Sequence, residues 1–116
     1  MRDVVITHAV RTPIALERAK INLREVDIIE LNEMSAAECL AVLREWRTWG
    51  GAPEVLAERV NPAGGALATG NAWGAMGAVL LARAVHALRR RSARIAMVAL
   101  GAEGGQGMAI VLRNPG

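Results

Sequence analysis

Tyrosine and phenylalanine are absent from this sequence of 116 residues, and three tryptophans are its only aromatic residues. Because hydrophobic residues still make up 53% of the chain, its core must be built from Ala, Val, Leu, Ile and Met. The many small residues let helices and strands approach closely, which favours a layered α/β packing. The high apolar fraction also excludes global disorder.

Cysteine is nearly absent as well, because Cys39 is the only one, and this excludes an intramolecular disulfide. Long hydrophobic runs are lacking. The longest apolar region, residues 75–88, is interrupted by Arg83 and His86 and is too short to span a bilayer. The apolar run at residues 4–6 is too short for the core of a signal peptide. We therefore expect a cytoplasmic protein that does not interact with membranes.

Positive charge exceeds negative charge, with a formal net charge of +3. The basic residues are spread along the chain except for Arg89, Arg90 and Arg91. These three end a long apolar helical pattern, where cations offset the helix dipole. No aromatic residue lies among them and no nucleic-acid motif is present, so nucleic acid is not an expected partner.

The spacing of apolar residues alternates between strand and helix along the chain. Helical spacing is clearest from Ser35 to Trp46, where Ser35 is the expected amino-terminal cap and Glu38 fits a capping box. The glycine-rich residues 101–107 predict a hairpin between the last two strands. The other predicted elements are strands at 4–10, 26–31, 59–61, 93–100 and 108–113, helices at 14–20 and 72–91, and a loop at 48–58.

This order, β-α-β-α-β-α-β-β, predicts a single α/β domain over residues 1–116. We expect a mixed five-stranded sheet with helices on both faces. Strands that alternate with helices form mainly parallel sheets with right-handed crossovers. The last hairpin is expected to add an antiparallel edge.

Few residues are candidates for nucleophilic or metal chemistry. Cys39 falls on the apolar face of a helix, where a buried core thiol is the better interpretation. His8 lies in a strand and His86 in a long helix, and neither has an obvious partner in sequence. Two histidines and one cysteine at these separations match no metal-ligand spacing, so we expect no metal site.

Two groups of residues are compatible with a binding site but also fit an ordinary turn. Glu30, Asn32 and Glu33 cluster at the carboxyl end of the second strand, which is where ligands bind in open α/β sheets. The same residues also fit a solvated or capping turn. Residues 101–107 could present backbone N–H groups to an oxyanion or form only a tight hairpin. The spacing of residues alone identifies no enzyme.

Three stretches occur in a recognisable order: ALERAKINLREVDIIELNE at 15–33, VNPAGGALATGNAWGAMGAVLLARAVHALRRR at 60–91, and GGQGMAIVL at 104–112. Together they resemble the carboxyl-terminal half of the thiolase family. The opening MRDVVITHAVRTPI resembles a thiolase amino terminus, with the join near Ile14 and Ala15. A full thiolase has two similar halves, so the resemblance implies that most of the amino-terminal half is missing here.

The resemblance implies transfer of acyl groups to or from coenzyme A through a cysteine nucleophile, to which no position of this sequence corresponds. Asn32 begins the segment NEMS, where the family has Asn-Glu-Ala-Phe and the Asn holds a water in an oxyanion hole. Asn71 replaces the His of the family's Gly-His-Pro segment and cannot exchange a proton near neutral pH. Gly101 stands where the family has its acid/base Cys, and Glu103 replaces a family glycine.

These departures predict a degenerate, non-catalytic thiolase-like domain that uses no cofactor, and they argue against binding of coenzyme A without deciding whether an acyl-CoA is bound. In a thiolase the two halves pack helix against helix, and the corresponding helix here covers Ala72–Arg91. Its exposed small and apolar residues would mark an interface, so we expect a homodimer. The residues expected at this interface are Gly74, Ala75, Gly77, Ala78, Leu81, Ala82 and Val85.

Two alternatives remain open from the sequence. The first is weak acyl transfer or thioester hydrolysis that uses Asn32, Asn71 and the turn at Gly101. The second is an engineered chain, a reconstructed chain or a gene remnant with no selected activity.

Overall fold

A four-stranded sheet forms the centre of the computed structural model, which describes residues 5–10 and 12–115. Its strands lie in the order β1-β4-β3-β2. β2 and β3 are parallel, whereas β4 is antiparallel to both of its neighbours, β1 and β3. Strands β1, β2 and β3 therefore run in one direction and β4 runs in the opposite direction. The strands are β1 at Val5–Val10, β2 at Ile28–Leu31, β3 at Ile95–Ala102 and β4 at Gln106–Arg113.

Helices cover both faces of this sheet, as the sequence predicts. They are α1 at Thr12–Ala19, α2 at Ala36–Thr48, α3 at Pro53–Arg59, α4 at Ala66–Thr69 and α5 at Met76–Arg91. The first core packs α1, α2 and α3 on one face, with Trp46 and Leu56 among its buried residues. The second core packs α4 and α5 on the other face, with Leu80 and Leu88 buried. The α/β class is therefore confirmed.

Alternation along the strands supplies both cores at once. Ile28 enters the second core and Ile29 the first, and in β3 Met97 enters the first and Val98 the second. Successive side chains of a strand point to opposite faces, so a sheet covered on both sides needs apolar residues at consecutive positions. Full burial of such a side chain stabilises the fold by about 1.5–3 kcal/mol.

The predicted fifth strand at residues 59–61 is wrong as a strand. Only Val60 pairs there, through an isolated parallel bridge to Ile29. Arg59 is the last residue of α3, and Asn61 has a left-handed φ of 46° that ends the extended backbone. Pro62 follows and has no N–H with which to continue the pairing. The sheet therefore has four strands and a single bridge in the part of the chain described.

Other boundaries also differ from the sequence predictions. β4 is not at the edge of the sheet, because β1 pairs outside it. The expected loop at 48–58 contains α3, which begins at Pro53, where a missing N–H is harmless. The long helix begins at Met76 rather than Ala72, after a 3₁₀ turn at Trp73–Ala75.

The cap and the hairpin are where the sequence predicts them. Ser35 Oγ accepts a hydrogen bond from the N–H of Glu38 at 3.2 Å and so begins α2. The turn between β3 and β4 confirms the hairpin. Val4, predicted to begin the first strand, lies outside the described residues, as do the side chains of His8 and Glu103.

Candidate functional site

Asn32 follows the last residue of β2, and its backbone is fixed against β3. Its N–H donates to the carbonyl oxygen of Ala99 at 2.8 Å, which extends the parallel pairing by one step. The side chain is buried, and its Oδ1 has no hydrogen-bond partner among the described residues. A buried polar atom without a partner costs about 1–3 kcal/mol. Asn32 therefore keeps one acceptor that a water or a ligand can satisfy.

The neighbouring Glu33 is not a free acid. Its Oε1 accepts from Nδ2 of Asn61 at 2.6 Å, and its Oε2 accepts from the N–H of Leu67 at 2.9 Å. Gly65 lies so close that a Cβ there would be 2.0 Å from Cδ of Glu33. One carboxylate oxygen thus ties the end of β2 to Asn61 and the other ties it to α4, which favours a structural role for Glu33 over a binding role.

Asn61 is a structural residue that the sequence analysis missed. Its Oδ1 accepts from the N–H of Leu31 at 2.8 Å, and its Nδ2 donates to the carbonyl oxygen of Leu31 at 3.0 Å. The side-chain amide therefore continues the pairing beside β2 after the backbone has turned away. Asn adopts a left-handed φ more readily than most residues. The available signal was the Asn-Pro pair at Pro62, which marks a turn.

Asn71 lies between α4 and α5, and both ends of its amide are occupied. Nδ2 donates to the sulfur of Met34 at 3.3 Å, and Oδ1 accepts from the N–H of Trp73 at 2.9 Å. An amide neither gains nor loses a proton near neutral pH. Asn71 can therefore orient the turn before α5, but it cannot act as a general acid or base.

Gly101 is the next-to-last residue of β3 and pairs with Gly107 of β4, just before the turn between these strands. Gly104 and Gly105 have φ values of 77° and 73°, which glycine adopts without strain. A Cβ at Gly101 would lie 3.6 Å from Oε1 of Glu38 in α2, so the position faces a carboxylate rather than a base.

A groove of about 830 Å³ separates this turn from α2. Trp46 and Trp49 line it on the side of α2, together with Glu38 and Glu45. Trp46 is buried and Trp49 is half-buried, so both also belong to the packing of the first core. The sequence does not predict this groove, because Trp49 lies just past the end of the predicted helix.

The four predicted site positions lie close to the carboxyl ends of β2 and β3. Asn32 contacts Ala99, two residues before Gly101, and Asn71 contacts Met34, two residues after Asn32. No hydrogen bond joins Asn32 to Asn71 within the described part of the chain. Asn32, Asn71 and Gly101 offer amide groups and backbone, but these three supply no nucleophile and no group that exchanges protons near neutral pH.

A buried ion pair lies beside this region. Glu30 is 1% exposed, and its Oε2 lies 3.0 Å from Nε of Arg83 in α5. Arg83 also donates to the carbonyl oxygen of Gly64. Burial raises the pKa of Glu30, and the guanidinium of Arg83 opposes that rise. The pair lines a cavity of about 610 Å³ with His86 and Arg90.

This ion pair was not predicted from the sequence, although each of its two residues is a charge at an otherwise apolar position. Glu30 occurs within an apolar strand, and Arg83 interrupts an apolar helix on the side that faces that strand. Two opposite charges, each alone among apolar residues, are more stable when paired than when buried singly.

Cys39 is half-buried and packs against the first core, which supports the prediction of a structural thiol. Burial raises the pKa of this thiol, and Glu33 and Glu38 add to the rise. His86 is exposed. Among the residues that the structure describes, no group of three His, Cys, Asp or Glu side chains could hold a metal ion. In the same residues, no helix has the length and apolar character needed to cross a membrane.

Comparison with known proteins identifies the family. The family model described as "Thiolase, C-terminal domain" matches residues 2–114. The 3-oxoadipyl-CoA/3-oxo-5,6-dehydrosuberyl-CoA thiolase of Escherichia coli (strain K12) is 45% identical over 99 residues, which cover 85% of this chain and 23% of that protein. Beta-ketothiolase BktB of Cupriavidus necator is 38% identical over 103 residues, covering 89% of this chain and 24% of BktB.

A 3-ketoacyl-CoA thiolase of Pseudoalteromonas translucida is 34% identical over 123 residues, covering 97% of this chain and 28% of that protein. The chain therefore belongs to the thiolase family, and the part of the family that it matches is the carboxyl-terminal domain. It spans about a quarter of the length of these curated relatives. A match over this fraction of their length does not by itself assign the activity of these whole proteins to the chain.

Proposed function

We propose that this thiolase carboxyl-terminal domain does not catalyse acyl transfer by itself and associates with a second copy through α5. The observation that carries the proposal is the outward side of this helix and of the turn before it. Gly74, Ala75, Ala78 and Ala82 are exposed there, and Val79 is 37% exposed. Contiguous apolar surface of this kind usually marks an interface.

A second copy suits this surface for two reasons. Glycine and alanine let two helix backbones approach closely, and a two-fold axis would bring the same small residues together from both sides. The resemblance to thiolases also implies that the corresponding helix packs against its counterpart from the other half of the molecule. Two of the residues expected at the interface, Leu81 and Val85, are half-buried against the second core, so they support α5 from beneath.

The proposed lack of catalysis rests on two positions at which this chain differs from the family's catalytic residues. Asn71 occupies the family's histidine position, and both ends of its amide are engaged by Met34 and Trp73. Gly101 occupies the position of the acid/base cysteine and has no side chain. A proton-transfer group contributes about 10²–10⁴-fold to a rate, so two replacements remove most of the acceleration.

The association is tested with Ala78→Arg, because Ala78 is exposed and its replacement does not disturb the core. The matched control is Ala41→Arg, the same change at an exposed position of α2 on the opposite face of the sheet. Light scattering coupled to gel filtration should give a dimer for the unchanged chain and for Ala41→Arg, and a folded monomer for Ala78→Arg. Circular dichroism verifies the fold. A dimer that persists in Ala78→Arg contradicts the interface.

A residual activity on coenzyme A thioesters is the second candidate, and the unpartnered Oδ1 of Asn32 favours it. That atom could bind a water beside a bound thioester. We expect no turnover of acetoacetyl-CoA above the buffer rate and no binding of coenzyme A. Turnover that disappears in both Asn32→Ala and Asn71→Ala would support this candidate against the first. The cytoplasmic location expected from the sequence stays a prediction.

A further inference from the structure

Trp73 is the most exposed large hydrophobic side chain in the described residues, with 82% of its surface accessible. Its φ is 50°, a left-handed value that is a genuine outlier for a bulky residue. Asn71 holds this conformation, because its Oδ1 accepts the N–H of Trp73 at 2.9 Å. Strain of this kind persists where surrounding structure imposes it and often has a functional reason. The turn before α5 thus projects an indole ring into solvent.

The cavity on α5 has a complementary character. It measures about 610 Å³, and Val79, Ala82 and Ala87 give it apolar walls. Arg90 and Arg91 bring positive charge to the same cavity. The face of an indole ring is the best aromatic partner for a cation such as a guanidinium. An apolar cavity with a basic rim therefore suits a tryptophan side chain.

Charge decides how two α5 helices can pair. Residues 76–91 contain no acidic residue, and Arg89, Arg90 and Arg91 are concentrated in the last turn. A parallel pair would bring the two basic ends together, whereas an antiparallel pair places them about 24 Å apart, the length of a 16-residue helix. In the middle of the helix, Glu30 neutralises Arg83. The antiparallel arrangement is therefore favoured.

The register of such a pair follows from the exposed alanines. If the helices cross at the level midway between Ala78 and Ala82, residue 80 lies on the axis and each residue n faces residue 160 − n. Met76, the first residue of α5, then faces residue 84 of the second copy, and Trp73 lies three residues further along. The α5 residues that line the cavity run from 79 to 91, so Trp73 comes to the same half of the partner's helix as this cavity.

We infer that Trp73 of each copy inserts into the α5 cavity of the other copy, beside His86 and Arg90. The inference rests on the self-association proposed above and adds its anchor and its register. Because the contact is two-fold symmetric, each dimer contains it twice. It also gives Asn71 a role, which is to hold the backbone that presents Trp73.

The dimer dissociation constant, measured by sedimentation equilibrium, tests the anchor. We expect Trp73→Ala to raise it at least tenfold, since buried tryptophans are common hot spots of interfaces. The matched control is Leu40→Ala, because Leu40 is 62% exposed on α2, away from α5. That variant should keep the dissociation constant of the unchanged chain within about twofold.

A second variant tests the cavity without touching α5. Ala63 is exposed and lines the cavity, so Ala63→Leu should occupy space that the partner's indole needs. We expect a similar loss of affinity. The double variant with Trp73→Ala should be hardly weaker than either single variant, because both remove the same contact.

The outcomes separate the two proposals. A chain that stays monomeric at every concentration overturns the association itself and the anchor with it. A dimer whose dissociation constant is unchanged by Trp73→Ala and by Ala63→Leu overturns only the anchor. Losses that add in the double variant also overturn it, because they show two independent contacts. Tryptophan fluorescence gives a direct readout. The emission of Trp73 is the difference between the spectra of the unchanged chain and of Trp73→Phe, and it should shift to shorter wavelength as the chain dimerises.

Discussion

Replacing Arg83 with methionine removes the partner of a buried carboxylate while it keeps most of the aliphatic length of the side chain. Breaking a buried ion pair from one side costs about 3–5 kcal/mol. The side chain of Arg83 is 21% exposed, so solvent already screens part of the interaction. We therefore expect Arg83→Met to lower the free energy of unfolding by about 2–3 kcal/mol at pH 8, below the full range for a buried pair.

The loss should depend on pH in a direction fixed by Glu30. Burial raises the pKa of Glu30 in the folded chain above its ordinary value of 4.5, and Arg83 limits that rise. Without Arg83 the folded-state pKa rises further. A group whose pKa is raised by folding adds stability below its unfolded pKa, and this stability is lost as pH rises through the folded pKa. The deficit of Arg83→Met should therefore be smallest below pH 4.5 and largest at pH 8.

Urea unfolding followed by tryptophan fluorescence measures this difference, because Trp46 is 2% exposed and reports on the first core. Measurements at two protein concentrations separate the contribution of association. The double variant Glu30→Gln/Arg83→Met should recover most of the loss, since it leaves no buried charge. Equal stability of Arg83→Met and the unchanged chain at pH 8, or a deficit that does not shrink as pH falls, would refute the reasoning.

Three further predictions concern single sites. Asn61→Gly keeps the left-handed backbone but loses the side-chain hydrogen bonds, so its free energy of unfolding in urea titrations should be lower by about 1–3 kcal/mol. Asn61→Ala should lower it by about 1–2 kcal/mol more, because alanine does not adopt a left-handed φ without strain. Gly65→Ala should destabilise the fold, because its Cβ would overlap the carboxyl group of Glu33, whereas Gly101→Ala, whose Cβ would have its nearest contact at 3.6 Å, should leave the melting temperature nearly unchanged. The thiol of Cys39 should react slowly with a disulfide reagent at pH 7 and faster as pH rises above 9.0, because burial raises its pKa; a fast reaction at pH 7 would contradict this.

Periodic apolar residues made most of the fold predictable. The four strands, the cap at Ser35 and the two-sided packing follow from alternation along strands and helical spacing. The expected fifth strand failed for a local reason, because the side chain of Asn61 replaces the backbone partners that a strand would supply. The helix at Pro53–Arg59 was missed because glycines and a proline at its start also fit a loop.

The candidate site was predictable as a set of positions but not as a set of contacts. The family resemblance located Asn32, Asn71 and Gly101. It could not show that both ends of the amide of Asn71 are engaged, since these hydrogen bonds depend on the turn before α5. The pairing of Glu30 with Arg83 joins residues far apart in the sequence, and only the packing of α5 on β2 brings them together.

The molar mass in solution tests the central claim most directly. Light scattering coupled to gel filtration, repeated over a hundredfold dilution, measures it without a label. The account predicts twice the 12.3 kDa of one chain at the higher concentrations and a mass that falls on dilution. A mass of 12.3 kDa at every concentration, with the fold intact, would contradict self-association through α5.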